Sequence, residues 1–284
     1  MAIISCANCQ SDNDIHLEGS GPDGSRVLRC GECGHTWSPT IVTHAPTFTR
    51  TPFEMAQGRF ANAEMVEPAL AARVKRLKTK FLKTGAGAEL DPAVVEHYAR
   101  YRELFAAGNL ESCAPQDLKD FVSNQTGANV GNTSMFSRAW KRLGEDVAAD
   151  RTRASITYLL RGPDAVPLED RLTHLVEDAA GTGMPGFKEA LLTKVLCVMY
   201  PERFLPILTY GAEETGKHDL TRTVYGLHLP KVDLTSMQIG RLAVWSNDLL
   251  LELAGDGFTG PSHVAEFIWW ATDRVEHTSL VSVR

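Results

Sequence analysis

The sequence contains no apolar run approaching the length needed to cross a bilayer, so no helical membrane span is expected. Its first residues, Met-Ala-Ile-Ile-Ser-Cys, carry neither a positive stretch nor a long apolar core. No secretory signal is therefore expected, and the cytoplasm is the expected compartment. Catalytic patterns are equally scarce. The nine histidines form no H-x3-H or H-E-x-x-H pair, no G-x-S-x-G elbow occurs, and no D…E-x-K nuclease core stands on a strand. An enzyme is not expected from these residues. Positive charge is in deficit, with 29 Lys and Arg against 35 Asp and Glu and a net charge of −6. A surface coated in cations is thereby excluded, and any nucleic-acid contact must be local. There is no internal repeat and no low-complexity tract, and strand signals are few.

Cysteine is also sparse, but its placement carries information. Six cysteines occur in 284 residues. Cys113 and Cys197 are isolated in sequence that reads as core or helix edge. The other four form two C-x2-C pairs, Cys6 with Cys9 and Cys30 with Cys33, separated by twenty residues. That doubled spacing predicts a four-cysteine zinc site, because each short turn aims two thiolates at one tetrahedral metal. A redox dithiol needs only one pair and a thioredoxin-like setting. With all four positions filled by cysteine, no place remains for a catalytic water, so the Zn2+ is expected to be structural. The intervening stretch predicts a hairpin, with Ile15–Leu17 and Val27–Leu28 as strands and Gly19–Gly24 as the turn. Gly34 falls where a tight knuckle favours a residue without a side chain. The first forty residues therefore resemble a zinc ribbon. His35 reads as a surface histidine. Trp37 reads either as ribbon packing or as a contact platform.

Residues 41–68 read as a linker punctuated by Pro46, Pro52 and Pro68. A basic helix follows. Leu70, Val74, Leu77 and Phe81 recur at helical spacing, and Arg73, Lys75, Arg76, Lys78, Lys80 and Lys83 supply six cations in eleven residues. Gly85 to Gly87 ends this helix, and Asp91-Pro92 starts the next with an N-cap and a proline at its first position. Beyond Pro115 nearly every segment has helical period, and Phe204–Thr209 is the one further strand candidate. The expected fold is mainly α: a small N-terminal β ribbon, then a multi-helix domain over 69–284, with a subdivision near 150–165 allowed.

Three polar features compete for a role. Gly211–His218 matches G-x4-G-K over seven positions, but His218 stands where magnesium needs a hydroxyl, and Glu213 and Glu214 crowd the loop. It reads as a surface loop, and no nucleotide is expected. In Trp245-Ser246-Asn247-Asp248, Ser246 or Asn247 can cap the leucine run that follows, or Trp245, Asn247 and Asp248 can contact a base or a partner. Trp269-Trp270 reads as packing, with base stacking as the alternative.

Several runs together carry a resemblance. They are Pro185–Leu196, Tyr200–Ile207, Gly216-Lys217, Gly226–Pro230, Gly240–Leu242, Trp245–Leu251 and Ala265–Ala271. In this order they resemble the region preceding the motor domain in McrB-like AAA ATPases of modification-dependent restriction systems, over roughly residues 90 to 275. The resemblance implies a sensor or adaptor role in defence against foreign DNA, with an ATPase or nuclease partner, and it brings no catalytic residues. Two readings are open: a DNA-binding module, in which the ribbon and the basic helix contact phosphates, and a protein–protein adaptor or transcription regulator, in which the basic helix is a solvated face.

Overall fold

Alternating residues from Ile15 to Ser20 and from Arg26 to Cys30 form strands β1 and β2 of the computed structural model, which describes residues 6, 8–9, 14–20, 26–37, 57–58, 60–178, 181, 183–233 and 237–281. The two strands pair antiparallel, Ile15 opposite Cys30 and Leu17 opposite Leu28, with the register shifting between Leu17 and Gly19. A third strand, β3 (Thr36–Trp37), pairs with the other edge of β2 and was not evident from periodicity. Of the hairpin expected from sequence, the turn at 21–25 lies outside the described residues. Two compact units divide the chain, Met1–Thr49 and Arg50–Arg284. In the first, Cys6, Leu28 and Cys30 are buried.

The second unit contains ten α-helices among the described residues: α1 (Pro68–Thr84), α2 (Pro92–Leu104), α3 (Pro115–Ser123), α4 (Ser134–Leu143), α5 (Glu145–Arg161), α6 (Leu168–Glu177), α7 (Glu189–Met199), α8 (Lys217–Tyr225), α9 (Ile239–Ala254) and α10 (Pro261–Val281). The chain is thus mainly α with one small antiparallel sheet. Local signals place several boundaries. Pro68 opens α1 at N1 and Gly85, at φ 69°, closes it in the left-handed conformation that glycine tolerates. Asp91 accepts a hydrogen bond from the Ala93 amide at 2.8 Å and so caps α2. Helix α5 runs unbroken from Glu145 to Arg161.

Three apolar clusters fill this unit. Helices α2 to α7 close the largest around Tyr101, Phe105, Phe121, Leu159 and Leu192. Helices α1, α8 and α10 close the second around Phe81, Leu220 and Phe267. Phe60, Tyr210, Leu229, Leu242 and Leu249 form the third. Helix α9 reaches all three, through Val244, Leu250 and Leu242 respectively. Its sides toward these clusters are apolar, while Asp248 and Glu252, at i and i+4, stay exposed. It lies tight against α6: a Cβ on Gly240 would stand 1.9 Å from the Glu169 carbonyl oxygen, so only glycine fits. Arg241 then grips Asp170 with two hydrogen bonds of 2.6 and 2.9 Å.

One expectation needs correction. Phe204–Thr209 is not a strand; it is a largely buried segment outside any sheet. In the last part of the linker, Phe60 is buried and meets the Trp245 ring edge-on at 4.8 Å. Residues 41–56 lie outside the described residues.

Candidate metal centre and basic face

The four N-terminal cysteines converge. Cys6 and Cys33 place their Sγ atoms 3.5 Å apart, Cys9 and Cys30 theirs 3.6 Å apart, and all four sulfurs lie within 4.8 Å of one another. These separations are far beyond a disulfide bond of about 2.05 Å. They approach the edge of about 3.8 Å for a tetrahedron of sulfurs around a metal at about 2.3 Å. The cluster can therefore hold a metal ion. Backbone geometry builds it. The Gly34 amide donates to the Cys30 carbonyl at 2.8 Å, with Gly34 at φ 70°, and the Cys30 amide donates to the His35 carbonyl at 2.9 Å. This folds the second C-x2-C back on itself as a knuckle. A hydrogen bond from the His35 backbone is the main reason that the Cys33 thiol is lowered to about 6, helped by Cys6, Cys9 and Asn8. Burial works the other way on the two isolated cysteines, raising Cys113 and pushing Cys197 up to about 12. The shifts of Cys33 and of these two core cysteines thus run in opposite directions. Trp37 is half-buried and stacks on the exposed His35 at 6.0 Å.

The apolar stripe of α1 docks as its spacing predicts: Val74 and Phe81 are buried, and Phe81 lies 5.6 Å from both the Phe267 and the Trp270 ring. The six cations separate into two groups. Lys78 donates to the Ala254 carbonyl at 2.6 Å, at the end of α9, and lies over the Phe258 ring; partial burial lowers its pKa. Arg73 reaches the Val275 carbonyl at 3.4 Å. These two fasten the helix to the body, so they are not part of a free face. Lys75, Arg76, Lys80 and Lys83 are exposed, and none has a carboxylate partner among the described residues. Arg76, Lys80 and Lys83 stand at i, i+4 and i+7, in one row.

Asn247 is neither a cap nor a surface group. It sits mid-helix, 0% exposed, accepting from the Leu205 amide at 2.9 Å and donating to the Arg203 carbonyl at 2.9 Å. Ser246 is equally buried and donates to the Ala243 carbonyl. Trp245 is half-buried against Phe60, and of this run only Asp248 is exposed. The four do not form one surface. Trp270 packs on Phe81 and carries the Arg274 guanidinium 3.8 Å from its ring centre.

In the loop at Gly211–His218, Glu213, Glu214 and Thr215 are exposed and the end of the loop turns inward. The amides of Gly216, Lys217 and His218 donate to the carbonyls of Ala212, Thr209 and Tyr210. Lys217 is 1% exposed and its ammonium donates to the Ala243 carbonyl at 2.8 Å. Burial lowers its pKa to about 8. Neither the lysine nor these amides face a cradle.

Sequence reasoning missed a set of buried polar groups that includes this lysine. The segment after α7 has no sheet to satisfy its backbone, so side chains satisfy it instead. Asn247 serves Arg203 and Leu205, the Cys197 thiol donates to the Leu205 carbonyl at 3.3 Å, and Glu189 accepts from the Tyr210 amide at 2.5 Å. Burial raises the Glu189 pKa, opposed by that amide and by Lys217. Lys194, likewise buried, donates to the carbonyls of Phe121 and Asn124 at the end of α3, and its pKa falls to about 8.

No helix among the described residues is long and apolar enough to cross a membrane. No family model matches this chain, no curated protein matches it, and no solved structure matches it, so the likeness to McrB-like ATPases rests on the residue pattern alone.

Proposed function

We propose that this protein is a DNA-binding sensor or adaptor of a restriction-type or anti-phage defence system, and that its cysteine site holds one structural zinc. The observation that carries the DNA reading is the divided basic helix. In a chain of net charge −6, α1 presents Lys75, Arg76, Lys80 and Lys83 outward while Arg73 and Lys78 pin it down. Cations held on a fixed helix create a local positive field where phosphates can replace small counterions. Four sulfur donors near tetrahedral separations, with no fifth donor among the described residues, favour zinc in a closed site that supplies folding energy to a small module. The defence setting and an ATPase or nuclease partner come from the resemblance over residues 90 to 275. No catalytic step is assigned to the chain, and no nucleotide.

Titrating the full chain against modified and unmodified duplexes at about 50 mM salt tests the reading, because the backbone contribution is strongest there. Binding to duplex DNA is expected, with a preference among the modifications if the chain is a sensor. A chain that binds no duplex, but captures a protein partner through α1, is an adaptor and overturns the DNA reading.

A further inference from the structure

The DNA reading assigns no role to α4, yet this helix is as sharply two-sided as any in the protein. Phe136, Ala139 and Trp140 are buried, whereas Ser134, Met135, Ser137, Arg138, Lys141 and Arg142 are all exposed. At 100° per residue these six fall within one arc of about 160°. No acidic residue occurs anywhere from Asn124 to Leu143. The loop leading into α4 adds hydrogen-bond donors. Asn124, Asn129 and Asn132 are exposed, and each Oδ1 accepts from the backbone amide two residues on, at 2.6, 2.8 and 2.8 Å. Those bonds fix the amide orientation and leave the NH2 ends to solvent. The face therefore offers cations, amide donors and hydroxyls, with no carboxylate. Its chemical complement is a polyanion rich in acceptor oxygens.

The helix is also held firmly. Gly186, at φ 83°, lies so close that a Cβ there would stand 2.4 Å from the Phe136 amide nitrogen, and the Phe187 ring packs on Phe136 at 6.1 Å. A rigid helix, about 10–12 Å across and about 15 Å long, can enter a major groove about 12 Å wide or lie along one strand's phosphates.

We infer that α4, with the Asn124–Thr133 loop, is a second face for duplex DNA, contacting phosphates through Arg138, Lys141 and Arg142. This rests on the DNA reading above and extends it. Helices α1 and α4 belong to different apolar clusters, so their contributions should add in free energy.

The test compares three full-length proteins by duplex affinity at rising salt: the parent, an α1 variant (Lys75→Ala, Arg76→Ala, Lys80→Ala, Lys83→Ala) and an α4 variant (Arg138→Gln, Lys141→Gln, Arg142→Gln). Between about 50 and 200 mM salt the parent should lose about 40-fold more affinity than the α4 variant, the ratio given by three phosphate contacts. An Arg138→Lys, Arg142→Lys variant keeps the charge and should keep the parent's salt slope. If the α4 variant binds like the parent while the α1 variant is weakened, this inference fails and the DNA reading stands. If α4 substitutions weaken an RNA hairpin or an acidic polypeptide but no DNA duplex, the inference also fails. A parent that binds no duplex overturns both.

Discussion

In the N-terminal unit the buried positions include Leu28 and two of the four site cysteines, Cys6 and Cys30, while the helical unit closes three apolar clusters. The first unit is organised by convergence of four sulfurs. The second is organised by shape, with polar side chains placed where the backbone lacks partners. The contrast teaches that a small module can replace a core with a ligand cluster, and that a large core must still satisfy every peptide group it encloses.

The sharpest way to break that comparison is to remove a ligand. Cys30→Ser should abolish stoichiometric zinc binding and the sheet around it, because such binding energy is folding energy. The unfolding transition of the helical unit should stay within about 0.5 kcal/mol of the parent's. Metal content and a far-ultraviolet melt read both, and a helical transition that falls with the metal would show that the two units are not held separately.

Inside the helical unit, Asn247→Leu should be the costly change. It leaves the Leu205 amide and the Arg203 carbonyl buried without their partner. Two unsatisfied groups imply a loss of about 3 kcal/mol by denaturant unfolding. A loss below about 1 kcal/mol would mean that water or another side chain takes over.

Lys217 sharpens the point through pH. Its folded pKa of about 8 lies below the unfolded value near 10.5, so the unfolded chain holds more protons between them. Stability from this group therefore rises with pH across that window. Relative to Lys217→Met, the parent should gain about 2 kcal/mol between pH 8 and 10. Comparing the two proteins cancels the opposing effect of the buried tyrosines, whose pKa values are raised; the Cys197 thiol, which Lys217 helps to hold down, shifts with the substitution. A flat difference would mean that the ammonium is solvated.

Smallest of all are the exposed α1 cations. Replacing Lys75, Arg76, Lys80 or Lys83 singly by alanine should change stability by less than about 0.5 kcal/mol, since none has a carboxylate partner among the described residues.

The same contrast explains what the sequence revealed. A ligand set is a local pattern, so two C-x2-C turns were legible without knowledge of the fold. Caps are local as well, and Gly85 and Asp91 marked their helix ends, whereas Pro68 reads as linker in the sequence though it opens α1. The buried polar groups are not local: Asn247 serves a segment more than forty residues earlier, so its run resembled a cap before a leucine stretch. Phe204–Thr209 looked like a strand because an apolar run does not announce that side chains, not neighbouring strands, will satisfy it. One signal was present and unused. Lys78 lies four residues after Val74 and three before Phe81, on the margin of the docking stripe, where its ammonium reaches Ala254.

The salt dependence of duplex affinity, measured on the parent and on the fourfold α1 alanine variant, tests the central claim most directly. Loss of four phosphate contacts should flatten the log–log slope by up to about 3.6 and weaken all duplexes alike. An unchanged slope and affinity would show that the basic face of α1 meets only solvent.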